Sequence, residues 1–320
     1  MKIKLIQREF TEEYENLSSH FGLALIGAFL IPLYIQPRFS RRMMGGGFSP
    51  PIISISLFEE SFMNDEKTVL KRDDETMDYL FHGLLKVLQK EKGYRFSVDA
   101  LLLAHFVTLK KGDGVVELGA GSGVIAMTLA FRFTKAHIVE VEIQRELADM
   151  ARRNIELNGL EDRVKVYPSD VKKIEQLFDP HSFDVVVFNP PYRKLNSGRI
   201  NPDPERAVAR HEISGTIDDF LVSARYLLKD LGRVYVIYPA ARSVELIARM
   251  RKNRLEPKRF RVVYSNGLSG AAFILAEGVK NAGEEAEIMP PFFIYENDGR
   301  YSDEMVEMLG GMTFTRSACV

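Results

Sequence analysis

The stretch from Val115 to Val124 constrains the fold of this chain more than any other. An apolar strand runs into three alternate glycines at 119, 121 and 123, and a helical apolar run from Ile125 to Phe133 follows at once. Glycine adopts positive φ easily and, because it lacks a Cβ, lets a ligand approach main-chain N–H groups. The pattern predicts a strand, a tight turn and a helix, with a nucleotide-type cofactor bound at the turn.

The glycine spacing narrows the choice of cofactor. A dinucleotide-binding turn would need its third glycine at position 124, which is Val124. The motif Glu-x-Gly-x-Gly-x-Gly, which begins at Glu117, resembles instead the first motif of class I S-adenosylmethionine (SAM) methyltransferases. That family also carries an acid at the end of the second strand, where a carboxylate reaches the ribose hydroxyls. Here Glu142 ends such a strand, 19 residues beyond Gly123, and is preferred over Glu140.

Composition sets broad limits on the chain. Its 320 residues are 46% hydrophobic, enough for a sizeable core in two domains or one enlarged domain. Lys and Arg (43) nearly balance Asp and Glu (44), so the overall charge does not indicate a polyanionic partner. The single cysteine, Cys319, excludes an internal disulfide framework and a cysteine-rich zinc site. We therefore expect a cytoplasmic protein.

Residues 1–62 differ from the rest of the sequence. The apolar run from Phe21 to Ile35 is shorter than the roughly 18–20 residues that span a bilayer, and two glycines and a proline interrupt it. Acidic residues precede this run, which argues against a secretory signal. We interpret residues 1–62 as a poorly structured leader and expect no stable membrane association. The abrupt change of composition also suggests the hypothesis that translation begins at Met63.

Strand and helix patterns alternate through most of the remaining chain. An N-terminal segment, 63–92, precedes a methyltransferase domain, 93–315; two short strands come before a helix that Ser97 or Asp99 caps. Apolar runs predict strands at 114–118, 137–142, 163–167, 183–188, 232–238, 258–264 and 271–278. Intervening helices predict a parallel sheet, and the short connection through Asn266 and Gly267 predicts an antiparallel final pair. This α/β pattern resembles the Rossmann-like, seven-stranded sheet of class I methyltransferases.

Two further acids stand where a SAM pocket would have its walls. Asp99 lies on the helix before the first long strand, and it serves either as a pocket residue or only as a helix cap. Asp170 follows the third strand, at the edge where open α/β sheets bind ligands. In the methyltransferase family an acid at this point contacts the adenine amine of SAM. Asp170 can also cap the helix that begins at Val171, so both roles stay open.

The tetrapeptide Asn189-Pro190-Pro191-Tyr192 ends the fourth strand and is the sharpest chemical signal. Consecutive prolines cannot continue a strand ladder, so the chain leaves the sheet there in a stiff extended form. The amide oxygen of Asn189 and the carbonyl of Pro190 then offer two acceptors to one planar amino group. Accepting both N–H bonds favours a tetrahedral nitrogen whose lone pair faces the methyl group. The ring of Tyr192 offers a face for stacking of a flipped base.

Several motifs together resemble the transfer-RNA adenine-N6 methyltransferases that modify adenine 37 of a valine tRNA. They are Gly-Tyr-Arg-Phe-Ser-Val-Asp-Ala-Leu-Leu-Leu-Ala, the glycine turn, Glu-Ile-Gln at 142–144, Asn-Pro-Pro-Tyr-Arg-Lys and Ala-Val-Ala-Arg-His-Glu at 207–212. The resemblance covers roughly 73–312. It implies an enzyme with SAM as cofactor and tRNA as partner. The sequence leaves the oligomeric state open, with a monomer favoured. The cofactor-binding candidates are Asp99, Glu117, Gly119, Gly121, Gly123, Glu142, Asp170 and Asn189, and the catalytic ones are Asn189, Pro190, Pro191 and Tyr192.

The region after the catalytic tetrapeptide is basic. Residues 193–261 contain 16 Lys and Arg against 8 acids, a net charge of about +8. The substrate-binding candidates near the chemistry are Tyr192, Arg193, Lys194, Arg199 and Arg210. A second group, between Arg249 and Arg261, either contacts phosphates or forms a solvated face. His211 and Glu212 lack the spacing of metal ligands, so we assign no metal.

Three other functions share parts of this pattern. Glutamine N5-methyltransferases of peptide release factors use the same Asn-Pro-Pro-Tyr, but they usually have an N-terminal bundle of amphipathic helices, which residues 1–62 do not resemble. A DNA-adenine methyltransferase is disfavoured because no recognition domain is evident. A non-catalytic RNA-binding module on the same fold is disfavoured by the intact Asn189 and Tyr192. Adenine-N6 methylation of tRNA is therefore the leading hypothesis.

Overall fold

The computed structural model describes residues 71–93, 95–192 and 215–310. These residues belong to one compact unit that begins at Leu70. The leader proposed for residues 1–62 lies outside the described residues. So do four substrate-binding candidates, Arg193, Lys194, Arg199 and Arg210.

A two-stranded antiparallel hairpin comes first, as the sequence predicts. Strand β1 (Glu75–Leu80) pairs with β2 (Leu85–Lys90), and helix α1 (Val98–Phe106) follows. The hairpin is small, and an isolated pair of strands is only marginally stable in water. Its stability therefore depends on packing against the rest of the domain.

Within the described ranges the main sheet has nine strands and is mostly parallel. Its path is β10-β8-β9-β7-β6-β3-β4-β5, with β11 paired to β8. The long strands are β3 (Gly114–Leu118), β4 (His137–Glu142), β5 (Val164–Pro168), β6 (Phe183–Phe188), β7 (Leu228–Pro239), β8 (Leu255–Tyr264) and β9 (Ala271–Lys280). The helices are α2 (Val124–Arg132), α3 (Arg145–Leu157), α4 (Ile217–Leu227), α5 (Ser243–Lys252) and α6 (Asp303–Gly310).

The predicted mostly parallel sheet with an antiparallel closing pair is confirmed. Strands β3 to β7 pair in parallel, and β9 pairs antiparallel with both β7 and β8. Two short strands, β10 (Glu287–Ile288) and β11 (Phe292–Phe293), extend the sheet beyond the seven predicted. A two-residue strand shows no periodicity, so the sequence pattern did not reveal them. The segment after β5 forms a 3-10 helix over Val171–Gln176.

The core lies on both sides of the central strands. Strands β6 and β7 carry continuous buried apolar runs, and β3 is buried along most of its length, which is typical of parallel strands covered by helices on both faces. The largest fully buried side chains include Tyr235, Tyr238 and Phe188. Of the helices in the described ranges, none has both the length and the apolar character needed to cross a membrane.

Asn154 joins the hairpin to the rest of the domain. This α3 residue is fully buried, and its carboxamide oxygen accepts a hydrogen bond from the Leu88 N–H at 2.6 Å. Its nitrogen donates to the carbonyl of Leu88 at 3.1 Å and to the carbonyl of Ser122 at 2.9 Å. Because Ser122 belongs to the glycine turn, one side chain links the hairpin, a helix and the turn.

We expect Asn154→Ala to lower the free energy of unfolding by about 2–4 kcal/mol, because three buried backbone groups lose their partner. Urea unfolding followed by circular dichroism measures the change. Arg152→Ala is the control on the same helix, since Arg152 is exposed and, among the described residues, its guanidinium donates to the Val166 carbonyl. Equal stability of the two variants would contradict the role given to Asn154.

Candidate active site

The glycine turn between β3 and α2 has the conformation that the sequence predicts, and the N–H groups of its three glycines donate to the Val141 carbonyl, the Glu142 carboxylate and the Ala120 carbonyl. Gly119, Gly121 and Gly123 have φ values of 73°, 60° and 82°, in the region that favours glycine. A Cβ on Gly119 would lie 3.1 Å from the ring of Phe220, and one on Gly123 would lie 2.9 Å from the Glu140 carboxylate. The turn therefore requires glycine for its conformation and for close packing from below.

Glu142 reaches the turn from the end of the neighbouring strand. Its carboxylate accepts hydrogen bonds from the Gly121 N–H and the Gln144 N–H, both at 2.8 Å. Burial raises the pKa of the Glu142 carboxyl, and these N–H bonds oppose the rise. A carboxylate has about four lone-pair sites, so acceptor capacity is left for the two hydroxyls of a ribose. The preference for Glu142 over Glu140 agrees with this geometry.

Two further carboxyl groups lie beneath the turn. Glu117 and Glu140 are register partners on β3 and β4, and both are buried. Glu117 accepts a hydrogen bond from the Ala126 N–H of α2 at 2.9 Å, whereas the Glu140 oxygens have no hydrogen-bond partner among the described residues. Burial raises the pKa of Glu140 to about 8, with a further contribution from Glu142. Burial likewise raises the pKa of Glu117 well above its usual range, and Glu140 adds to that.

Asp170 lies beyond the end of β5 and caps the 3-10 helix. Its carboxylate accepts a hydrogen bond from the Lys172 N–H at 2.9 Å. The preceding residue, Ser169, donates its N–H to the Glu142 carbonyl at 3.0 Å, which ties this loop to the end of β4. The capping role foreseen for Asp170 is thus present, and its carboxylate lies on the same sheet edge as Glu142.

The tetrapeptide 189–192 follows β6 at that same edge. In the parallel register, Leu118 of β3 pairs with Phe188 of β6, so the glycine turn and Asn189 leave adjacent strands side by side. Pro190 is buried, whereas Asn189 is half-buried. The Tyr192 hydroxyl lies within hydrogen-bond distance of the Asn189 carboxamide oxygen and is 3.0 Å from the Asp99 carboxylate.

Aromatic rings from two other strands lie against Tyr192. Its ring contacts Tyr238 edge-on at a centroid distance of 5.9 Å and Phe273 at 6.1 Å. Arg242 lies over the Tyr238 ring at 4.7 Å and donates a hydrogen bond to the Tyr192 carbonyl at 2.8 Å. This arrangement forms an apolar wall with a fixed cation behind it, which suits a planar aromatic substrate.

The sequence analysis missed Tyr238, Phe273 and Arg242. Tyr238 and Arg242 could have been found, since they stand at the carboxyl end of β7, where parallel sheets place their sites. Phe273 could not, because its position depends on the register of β9 against β7, which pairs Phe273 with Pro239. For Asp99 the sequence left a pocket role and a capping role open; its carboxylate contacts Ser97, Ala100 and Tyr192.

The basic group between Arg249 and Arg261 is largely neutralised by acids. Arg249 pairs with Asp218 and Glu245, and Arg251 pairs with Glu256 and Glu284. Two further ion pairs join Arg259 to Glu277 and Arg261 to Glu304. Lys252 and Arg254 are exposed. Most of these cations therefore form ion pairs within the domain. This agrees with the interpretation of the group as a solvated face.

No group of three or more potential metal ligands occurs within the described ranges. His211 and Glu212, to which the sequence analysis assigned no metal, lie outside them.

We expect Glu140→Gln to remove a pH dependence of stability. The pKa of Glu140 is raised from 4.5 to about 8, so the folded state holds a proton that the unfolded state releases between those pH values. Wild-type stability from this group is complete below pH 4.5 and is lost as the pH rises towards 8. From pH 5.5 to 8.5 the variant should gain roughly 2–3 kcal/mol relative to wild type, at 1.4 kcal/mol per unit. Urea unfolding at both pH values measures this.

The control for the Glu140 variant is Glu146→Gln, which makes the same change at an exposed position on α3. Its stability curve should run parallel to that of the wild type. A Glu140→Gln curve that is also parallel would show that Glu140 is ionised throughout.

Comparisons with known proteins agree with this geometry. The family model described as "Methyltransferase small domain" matches residues 97–253. A tRNA1(Val) (adenine(37)-N6)-methyltransferase of Porphyromonas gingivalis is 30% identical over 222 residues, which are 67% of this chain and 86% of that protein. The protein of the same name from Dyadobacter fermentans is 28% identical over 225 residues, covering 67% of this chain and 87% of the relative.

Among solved structures, a predicted O-methyltransferase from Agrobacterium tumefaciens is similar in fold. Its TM-score is 0.55 at 22% sequence identity, and the match covers 66% of this chain and 94% of that one. Together with the mostly parallel sheet and the glycine turn, this confirms the expected class I methyltransferase fold. On its similarity to the curated relatives, the chain belongs to the family of tRNA1(Val) (adenine(37)-N6)-methyltransferases.

Proposed function

We propose that this protein transfers a methyl group from SAM to the exocyclic N6 amine of adenine in tRNA, with adenine 37 of a valine tRNA as target. One observation carries the proposal. The pairing of Leu118 with Phe188 sets the glycine turn and Asn189 side by side at the carboxyl edge of the sheet. A cofactor at the turn and an amine at Asn189 would then be neighbours, as methyl transfer requires.

The residues around the turn fit the cofactor. Gly119, Gly121 and Gly123 leave room for a ligand above the backbone, and Glu142 keeps acceptor sites for ribose hydroxyls. Asp170, on the same edge, is our candidate for the adenine end of SAM. Bound SAM would supply an electrophilic methyl group on a sulfonium. Glu117 supports the turn from beneath through α2 rather than facing the ligand.

The amine site is built from the tetrapeptide. Asn189 offers its carboxamide oxygen and Pro190 its carbonyl, and two acceptors in fixed positions favour a nitrogen whose lone pair is directed out of the ring plane. Tyr192 and Phe273 are half-buried and supply apolar ring surface beside these acceptors, as a flipped base requires, and the fully buried ring of Tyr238 packs against Tyr192. No strong base is needed, since positioning and the leaving group supply most of the rate enhancement.

The remaining assignments extend this proposal. We assign the catalytic domain to residues 93–315 and infer that Arg193, Lys194, Arg199 and Arg210 contact the tRNA. The relatives' names identify tRNA as their substrate, which supports the same partner here. We further infer a monomeric protein acting in the cytoplasm, where tRNA is modified.

The test is transfer of labelled methyl from SAM into unmodified tRNA, followed by nucleoside mass spectrometry. We expect N6-methyladenosine, at position 37 of a valine tRNA. Asn189→Ala should lower kcat by at least about 100-fold, because it removes an acceptor that acts in the transition state. Its dissociation constant for SAM should rise far less than kcat falls, because the glycine turn and Glu142 stay in place.

Release factor assayed in parallel distinguishes the main competitor. Label in release factor alone would replace our proposal with glutamine methylation. If Asn189→Ala methylates tRNA as fast as the wild type, Asn189 takes no part in the chemistry.

We expect Glu142→Ala to raise the dissociation constant for SAM by about 100-fold, because two hydrogen bonds to a carboxylate are lost. Isothermal titration calorimetry measures the affinity. Glu146→Ala, on the exposed first turn of α3, should bind SAM like the wild type. A Glu142→Ala affinity within twofold of wild type would exclude Glu142 from the cofactor site.

A further inference from the structure

Asp99 is a buried carboxylate whose contacts lead away from the cofactor turn. It lies on α1 with 6% of its surface exposed. One oxygen accepts the Ala100 N–H at 2.9 Å and the Ser97 hydroxyl, and the other is 3.0 Å from the Tyr192 hydroxyl. Both oxygens therefore have partners, and one of these partners belongs to the catalytic tetrapeptide.

Among the described residues, two acceptors compete for the one proton of the Tyr192 hydroxyl. On one side is the Asp99 carboxylate, and on the other is the carboxamide oxygen of Asn189. A hydrogen bond to an ionised acceptor is about twice as strong as one to a neutral acceptor. The proton therefore goes to Asp99, and the hydroxyl oxygen turns a lone pair towards Asn189.

A lone pair at this point decides which way the Asn189 carboxamide faces. A half-turn of the side-chain amide exchanges its oxygen, which accepts, with its nitrogen, which donates. Beside the Tyr192 lone pair, the nitrogen makes a hydrogen bond and the oxygen makes none. The half-turned amide is thus favoured, and its oxygen then points away from Tyr192.

We propose that Asp99 is a positioning residue that acts through the Tyr192 hydroxyl to set the orientation of the Asn189 carboxamide. Hydrogen bonds link the Tyr192 hydroxyl to the Asp99 carboxylate and the Asn189 amide nitrogen to the Tyr192 hydroxyl. The Asn189 oxygen is then left to accept a hydrogen bond from the target amine. This inference rests on the proposed function, because the oxygen is needed there only if an amino group is methylated. It gives Tyr192 a second role besides that of a ring surface.

Asp99→Asn should reverse the direction of both hydrogen bonds of the Tyr192 hydroxyl. The oxygen of the new amide stays with the Ala100 N–H, which needs an acceptor, so the amide nitrogen faces Tyr192 and donates to its hydroxyl. The hydroxyl proton then turns to Asn189, holds the carboxamide oxygen and leaves the nitrogen facing the amine. We expect kcat to fall about 100-fold, as for loss of one transition-state hydrogen bond, with unchanged KM for tRNA and unchanged affinity for SAM.

Tyr192→Phe removes the hydroxyl and keeps the ring. The Asn189 carboxamide is then free to take either orientation, so we expect only about a 10-fold lower kcat. The double variant should equal Tyr192→Phe alone, because the amide introduced by Asp99→Asn then has no hydroxyl through which to act. Adding Tyr192→Phe to Asp99→Asn should therefore raise kcat about 10-fold. A purely structural role of Asp99 does not produce this non-additivity.

Kinetics of the three variants on unmodified tRNA, together with SAM titration and thermal unfolding, complete the test. Asp162→Asn, the same change at an exposed position, is the matched control. Additive losses in the double variant would overturn the inference, as would weaker SAM binding by Asp99→Asn at unchanged kcat. If Asp99→Asn does not fold, an unchanged kcat for Tyr192→Phe overturns it and a 10-fold loss supports it. A wild-type protein that makes no N6-methyladenosine contradicts the proposed function instead.

Discussion

The parallel pairing of β3 with β4 and β6 is the constraint on which the candidate site depends. Leu118 pairs with Val141 on one side and with Phe188 on the other, so three strands end at the same level. The glycine turn, Glu142 and Asn189 follow from these ends although they are far apart in the sequence. A one-residue slip of any strand would turn its side chains to the opposite face of the sheet.

The candidate site places carboxyl groups near the glycine turn, and burying them lowers the stability of the fold. Glu142 holds the turn through the Gly121 N–H, and this bond offsets part of the cost of its burial. Glu117 and Glu140 lie deeper, and of these only Glu117 has a backbone donor among the described residues. Glu140 is therefore most stable as the neutral acid. Its packing against Gly123 also explains why a third glycine is required in this turn.

The amine side of the site is assembled across the antiparallel half of the sheet. Tyr192 follows β6, Tyr238 lies near the end of β7 and Phe273 lies near the start of β9. Their rings meet because β9 pairs with β7 at the carboxyl end of β7. Arg242 then fixes the loop by its bond to the Tyr192 carbonyl. The parallel half of the sheet thus supplies the glycine turn and its acids, and the antiparallel half supplies the ring surface.

The sequence by itself determined the alternation of strands and helices, the conformation of the glycine turn and the position of the tetrapeptide after β6. These features depend on local periodicity and on residues with restricted or unusual backbone freedom, which the sequence displays directly. Only the tertiary structure decided that Asp99 contacts Tyr192, that Asn154 joins the hairpin to the turn, and that most of the basic residues between Arg249 and Arg261 pair with acids. Those contacts join residues distant in sequence, and they depend on strand register and helix packing, which no short segment encodes.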